Sequence, residues 1–84
     1  MKNGNRIMGN DVYRQVSCAL HSELELAIMH GRWLELIWTE NGRRRSARLR
    51  PRDLQTRDGS EFLIVEDGRG NRLRIRLDHI ESFG

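Results

Sequence analysis

Three side chains in the first half of the sequence have the chemistry of metal ligands or of a nucleophile with its base. Cys18, His21 and His30 offer one thiol and two imidazoles, the groups that bind zinc or form a thiol–imidazole pair. Their spacing matches no common zinc pattern, and the third histidine, His79, lies far along the chain. No second group is placed to activate Cys18. We therefore expect no metal site, no cofactor and no enzymatic activity.

Arginine is the residue type whose distribution points to binding. Fourteen of the fifteen basic residues are arginine, the net charge is +3, and the stretch GRRRSARLRPRD at 42–53 holds six arginines against one acid. Arginine binds phosphates and carboxylates through two parallel hydrogen bonds, which favours a nucleic acid or an acidic protein as partner. The alternative is that these arginines form the solvated face of a strand.

Acidic and basic residues are concentrated in different segments of the chain. Residues 18–40 hold four glutamates against Arg32, whereas residues 42–57 hold seven arginines against Asp53. This distribution predicts a molecule with an acidic side and a basic side.

The first element that could position these groups is a helix. Ser17 is a suitable N-cap and Gly31 a suitable left-handed stop. Leu26 and Met29 fall outside the apolar stripe and could form a contact patch. The stripe itself recurs at helical spacing and consists of Leu20, Leu24, Ala27 and Ile28.

After Gly31 the apolar period changes to two, which indicates strands. WLELIWTE is followed by Asn41-Gly42, a strong hairpin signal, and the returning strand is expected to end or become an edge at Pro51. RDGSE and DGRGN predict two more turns, which separate EFLIVE, RLRIRL and a last short strand in IESF. The sequence therefore predicts an α+β fold in which an N-terminal helix caps a small, strongly bent five-stranded antiparallel sheet or partly open barrel.

The length of 84 residues allows one domain. Residues 1–12 are rich in Asn and Gly and are expected to be a tail, which leaves 13–84 as the domain. No apolar run has the length of a membrane span and MKNGNRIMGN lacks the apolar centre of a secretory signal, so a cytoplasmic location is expected. Pro51 and the arginines on the strand edges favour a monomer.

Taken together, these elements resemble the Rof/YaeO-like family of bacterial Rho-binding antiterminators, from about Tyr13 to Phe83. The resemblance depends on the order and spacing of four motifs. The first is LELA with a histidine shortly after it, and the second consists of Asp53, Leu54 and Arg57. The third and fourth are EFLIVE and RLDHIESF. It implies an Sm-like fold. It also implies a non-catalytic protein that binds the termination factor Rho near its RNA-loading surface and blocks access of RNA.

The resemblance further implies two contact regions. One lies on the helix and the other in the turn before EFLIVE, and their residues are His21, Ser22, Glu23, Glu25, Arg57, Asp58 and Gly59. A surface that loads RNA must be basic, so the carboxylates of Glu23 and Glu25 are suited to occupy it.

Other hypotheses remain open, because the family members are acidic overall and this chain is basic. Arginines on two strands could form an Sm-like RNA-binding face, with Tyr13, Trp33, Trp38 and Phe62 as stacking surfaces. They could instead pair across strands with Glu35, Glu40, Glu61 and Glu66. A small adaptor unrelated to transcription is a third reading. The arginines of the RNA-binding hypothesis are Arg44, Arg48, Arg50, Arg72, Arg74 and Arg76.

Overall fold

One helix and five strands follow each other in the computed structural model, which describes residues 16–84. The tail predicted over 1–12 and the start of the predicted domain, including Tyr13, lie outside the described residues. The elements are α1 (Cys18–His30), β1 (Leu34–Glu40), β2 (Arg43–Arg57), β3 (Ser60–Glu66), β4 (Arg72–Arg76), a 3-10 turn (Leu77–His79) and β5 (Ile80–Ser82).

Helix α1 begins and ends where the sequence predicts. The Ser17 hydroxyl oxygen accepts a hydrogen bond from the Leu20 backbone N–H at 3.1 Å, which satisfies one of the free donors of the first turn. Gly31 adopts a left-handed conformation with φ of 63°, which is accessible to glycine without strain. Leu24 and Ala27 are buried, so the predicted apolar stripe faces the core.

The five strands form one antiparallel sheet in the order β4-β3-β2-β1-β5. Asn41 and Gly42 join β1 to β2 with φ of 52° and 75°, the backbone of a tight hairpin turn. The sheet is open, with β4 and β5 at its edges, and the 3-10 turn between them contacts both β1 and β3. The predicted combination of one helix with a five-stranded antiparallel sheet is confirmed.

Strand β2 is longer than the sequence predicts. The prediction that it ends at Pro51 is wrong, because β2 runs to Arg57. The alternative, that it becomes an edge there, agrees with the pairing, since β1 pairs with β2 only as far as Leu49 and the residues from Arg50 onward pair with β3 alone. Its first half pairs with β1 and its second half pairs with β3. The register shifts between Pro51 and Asp53, so Arg52 is an extra residue in a bulge, where a residue without an N–H donor is tolerated.

This bulge decides which side chains of β2 reach the core. Side chains alternate between the faces of a strand, so one added residue exchanges the faces beyond it. Because of Arg52, Leu54 lies opposite Leu63 and packs against the core. The fully buried core comprises Leu24, Ala27, Leu34, Leu36, Trp38, Leu49, Leu63, Val65, Ile75 and Leu77.

Candidate functional site

Helix α1 turns a broad surface away from the sheet. We call Ser22, Glu23, Glu25, Leu26 and Met29 the helix surface, and all five side chains are exposed. Leu26 is 51% exposed and Met29 is 77% exposed, which confirms that these two apolar residues lie outside the core. The helix surface therefore combines two carboxylates with exposed apolar area.

His21 connects the helix to the sheet. Its Nε2 lies 3.2 Å from Glu61 Oε1, and its Nδ1 lies 3.8 Å from Glu25 Oε2. Glu61 follows Gly59 by two residues on β3, so this contact holds the first half of α1 beside the strand that leaves the 57–59 turn. The carboxylate of Glu23, by contrast, makes no ion pair or hydrogen bond within residues 16–84, and the residue is exposed.

The turn between β2 and β3 is the second predicted contact region. Asp58 and Gly59 have φ of 51° and 79°, and Arg57, Asp58 and Gly59 are all exposed. Two successive residues with positive φ make a tight hairpin turn that presents its side chains to solvent. Through Glu61 and His21 the structure links this turn to the helix surface, although Arg57 follows Met29, the last residue of that surface, by 28 residues.

The arginines of the RNA-binding hypothesis are largely engaged by carboxylates. Five of the six lie within 4 Å of an acid on another strand or in the 3-10 turn, and most of these pairs are surface contacts of small individual energy. The N–O distances are 3.2 Å for Arg44–Glu81, 3.7 Å for Arg48–Glu35, 3.1 Å for Arg50–Glu66, 3.9 Å for Arg72–Glu66 and 2.8 Å for Arg76–Asp78.

These pairs overturn the predicted division into an acidic and a basic side. Glu35 lies opposite Arg48 in the β1–β2 ladder, and Glu40 pairs with Arg45 at 3.8 Å. Opposite charges that face each other across strands stabilise the ladder. Glutamates from the acidic half of the sequence are therefore interleaved with arginines from the basic half, and the two glutamates of the helix surface remain on α1.

Arg74 is the exception among the six arginines. Its guanidinium carbon lies 4.7 Å from the centre of the Phe62 ring, and no carboxylate of residues 16–84 pairs with it. Arg57, Asp58 and Ser60 complete a pocket of about 220 Å³ around this pair. Two guanidinium groups beside a hydroxyl could bind a phosphate, whereas the Asp58 carboxylate opposes an anion.

The tryptophans do not offer the stacking faces considered for RNA. Trp38 is 2% exposed, and its Nε1 donates to Glu40 Oε1 at 3.2 Å. Trp33 is half-buried and its ring is covered by Arg50, whose guanidinium carbon lies 5.3 Å from the ring centre. Both indole rings are therefore used within the domain.

The third turn, between β3 and β4, is fixed by one carboxylate. Asp67 Oδ1 accepts hydrogen bonds from the backbone N–H of Arg69 at 2.8 Å and of Asn71 at 2.9 Å. These bonds, the one from Arg69 first, lower the pKa of Asp67 below its ordinary value, because they favour the ionised carboxyl. Asp67 thus has a structural role in shaping the turn.

Within residues 16–84, no three His, Cys, Asp or Glu side chains lie close enough together to bind a metal ion. Cys18 is exposed at the start of α1. No helix in this part of the chain has the length and apolar character needed to cross a membrane.

One feature of the site was not predicted from the sequence. A groove of about 480 Å³ lies between the second half of α1 and the part of β2 that follows the bulge, and it is lined by Glu25, Ile28, Met29, Asp53 and Leu54. Asp53 and Leu54 reach the helix because of the added residue in β2, and nothing in the local sequence marks that bulge.

Comparisons with known proteins show the fold of this chain but not its function. No protein-family model and no curated protein matches this chain. Among solved structures, it is similar to proteasome accessory factor B/C (PafBC) of Arthrobacter aurescens, with a TM-score of 0.69 and 19% sequence identity. The similarity covers 84% of this chain and 12% of that chain, so this chain corresponds to a small part of PafBC. Structural similarity at so low a sequence identity does not imply a common function.

Proposed function

We propose that this protein is a non-catalytic inhibitor of Rho-dependent transcription termination. It binds Rho near the RNA-loading surface through the helix surface and the 57–59 turn, and it thereby blocks access of RNA. The observation that carries the proposal is the carboxylate of Glu23, which has no partner within residues 16–84, on an exposed, partly apolar helix. The strand arginines of the same domain mostly pair with its own acids.

The physical basis is local charge complementarity. An RNA-loading surface must hold phosphates with positive groups, so a protein that occupies it gains from presenting carboxylates at the contact. Leu26 and Met29 add apolar area beside Glu23, which excludes water and strengthens the charge contact. The net charge of +3 opposes long-range attraction to a basic partner, so we expect the association to depend on these local contacts.

An Sm-like fold accompanies this proposal. A helix that precedes five antiparallel strands and a long second strand shared by both halves of the sheet support a strongly bent, partly open barrel of this type. On this hypothesis the protein acts in the cytoplasm as a monomer, and its resemblance to the Rof/YaeO-like family reflects common descent.

The proposal is tested by reversing charge on the helix surface. Glu23→Arg with Glu25→Arg is expected to weaken binding to purified Rho by at least about tenfold, because two favourable contacts become repulsive. Binding is measured by biolayer interferometry at two salt concentrations. The control is Glu35→Gln with Glu40→Gln, which removes two carboxylates from β1 without placing new positive charges opposite Arg48 and Arg45. If both double variants bind Rho as tightly as the wild type does, the helix surface is not the contact.

RNA binding is the second candidate function, and the Arg74 pocket favours it. Arg74 and Arg57 have no carboxylate partner within residues 16–84 and lie beside Ser60 and Phe62. A single phosphate could bind there, with the sequence-independent and salt-dependent affinity typical of such contacts. The small size of the pocket and the pairing of the other strand arginines make this function weaker than the first.

A further inference from the structure

We propose that the groove between α1 and β2 receives a cationic side chain, arginine or lysine, flanked by an apolar residue of a partner protein. We call it the α1–β2 groove, with the lining residues Glu25, Ile28, Met29, Asp53 and Leu54. The proposal rests on the proposed function, since it states the chemistry of the Rho segment that docks beside the helix surface.

The ionisable residues that line the α1–β2 groove are negatively charged. Only two of its five residues are ionisable, and both are carboxylates, Glu25 and Asp53. The chain as a whole carries fifteen basic residues against twelve acidic ones, yet no arginine of residues 16–84 lines this groove. Its electrostatic character is therefore opposite to that of the molecule, and a cation is the complementary occupant.

The α1–β2 groove also has an apolar floor, formed by Ile28, Met29 and Leu54. Met29 is 77% exposed, and Ile28 and Leu54 are half-buried and pack against the core. Arginine and lysine carry long aliphatic stems that lie along apolar surface while the charged head stays polar. A floor of this kind between two carboxylates thus suits the stem of a cationic residue and an apolar neighbour.

The two carboxylates of the groove have few partners within residues 16–84. In this part of the chain, the Asp53 side chain accepts only the backbone N–H of Leu54, at 2.9 Å, and Glu25 Oε2 lies 3.8 Å from His21 Nδ1. Each carboxylate has about four acceptor sites, so both retain capacity for a guanidinium or an ammonium group. The volume of about 480 Å³ is that of a small ligand site, which is enough for two side chains.

The experiment uses the full chain with ¹³C-labelled methionine methyl groups. The Met29 signal is assigned by its loss in Met29→Leu, and it is followed during titration with the peptide acetyl-Leu-Arg-Leu-amide. We expect a saturable shift of the Met29 signal. Acetyl-Leu-Glu-Leu-amide should cause none, and Glu25→Gln with Asp53→Asn should weaken the response about tenfold, as expected for lost charge-assisted hydrogen bonds.

Three results would overturn the proposal. One is an unchanged Met29 signal with the cationic peptide, and another is an equal response to both peptides, which would indicate a purely apolar occupant. The third is a Met29 shift that depends on protein concentration alone, which would assign the groove to a second copy of this chain. The control Glu35→Gln with Glu40→Gln removes two carboxylates from β1 and should leave the titration unchanged.

Rho binding by the same variants separates this inference from the proposed function. If the cationic peptide binds but Rho does not, the groove is a site for basic segments and the Rho hypothesis fails. If Rho binds the wild type and the Glu25→Gln, Asp53→Asn variant equally, while charge reversal at Glu23 abolishes binding, the proposed function stands and the groove inference fails.

Discussion

Replacement of Leu24 by alanine tests whether α1 is held against the sheet as the helix surface requires. Leu24 is completely buried, so its truncation removes apolar contacts and leaves a cavity. Changes of this kind reduce the free energy of unfolding by about 2–5 kcal/mol. A domain of this length has a total of about 4–13 kcal/mol, so Leu24→Ala is expected to remove a large share of it.

Leu26 provides the matched control, two residues further along the same helix. It is 51% exposed, so Leu26→Ala is expected to reduce the free energy of unfolding by about 1 kcal/mol or less. Helix propensity does not separate the two variants, since both exchange leucine for alanine. The difference between them therefore reports which face of α1 meets the core.

The assay is urea unfolding followed by tryptophan fluorescence, because Trp38 is 2% exposed when folded and is released to solvent on unfolding. With a slope of about 1 kcal/mol per molar urea for a small domain, Leu24→Ala should lower the midpoint by about 2 M or more. Leu26→Ala should lower it by about 1 M or less. Equal midpoints for the two variants would refute the orientation of α1, and with it the definition of the helix surface.

Two further predictions concern the second candidate function and the third turn. Arg74→Gln should weaken binding of a short single-stranded RNA, measured by fluorescence anisotropy, at least about threefold more than Arg48→Gln does. The reason is that the Glu35 carboxylate, 3.7 Å from Arg48, reduces the positive potential there; equal effects would exclude the Arg74 pocket. Asp67→Asn should reduce the free energy of unfolding at neutral pH, and the deficit should shrink as the pH falls below the ordinary pKa of aspartate. The direction of this pH dependence follows from the lowered pKa of Asp67 in the folded state. The ionised carboxylate stabilises the folded state fully at pH values above the pKa that Asp67 has in the unfolded chain. This stabilisation is lost as the pH falls through the pKa of the folded state, because the carboxyl is then protonated. A deficit that does not change with pH in chemical denaturation would contradict this.

Elements set by local chemistry could be predicted from the sequence. Ser17 and Gly31 mark the ends of α1 because capping depends on neighbouring backbone groups alone. Asn41 and Gly42 specify the first hairpin in the same way, since both residues tolerate positive φ. The presence of a strand at β1 followed from the apolar period of two after Gly31.

Features that depend on distant pairing could not be predicted. Pro51 disfavours a strand locally, yet β3 supplies partners on both sides of the Arg52 bulge and carries β2 through to Arg57. Similarly, the contact of Glu66 with Arg50 depends on the register between β2 and β3, and the sequence does not state that register. The α1–β2 groove requires both the bulge and the docked helix, so no local pattern indicates it.

The central claim is that the protein prevents RNA from reaching Rho, and a displacement experiment tests it most directly. A fluorescent single-stranded RNA is loaded onto Rho, and its anisotropy is followed as this protein is added, with the Glu23→Arg, Glu25→Arg variant as a parallel sample. We predict that the wild type releases the RNA in a saturable manner and that the variant needs at least about tenfold more protein to do so. Anisotropy that stays at the value of the Rho–RNA complex throughout the wild-type titration would contradict the proposed function.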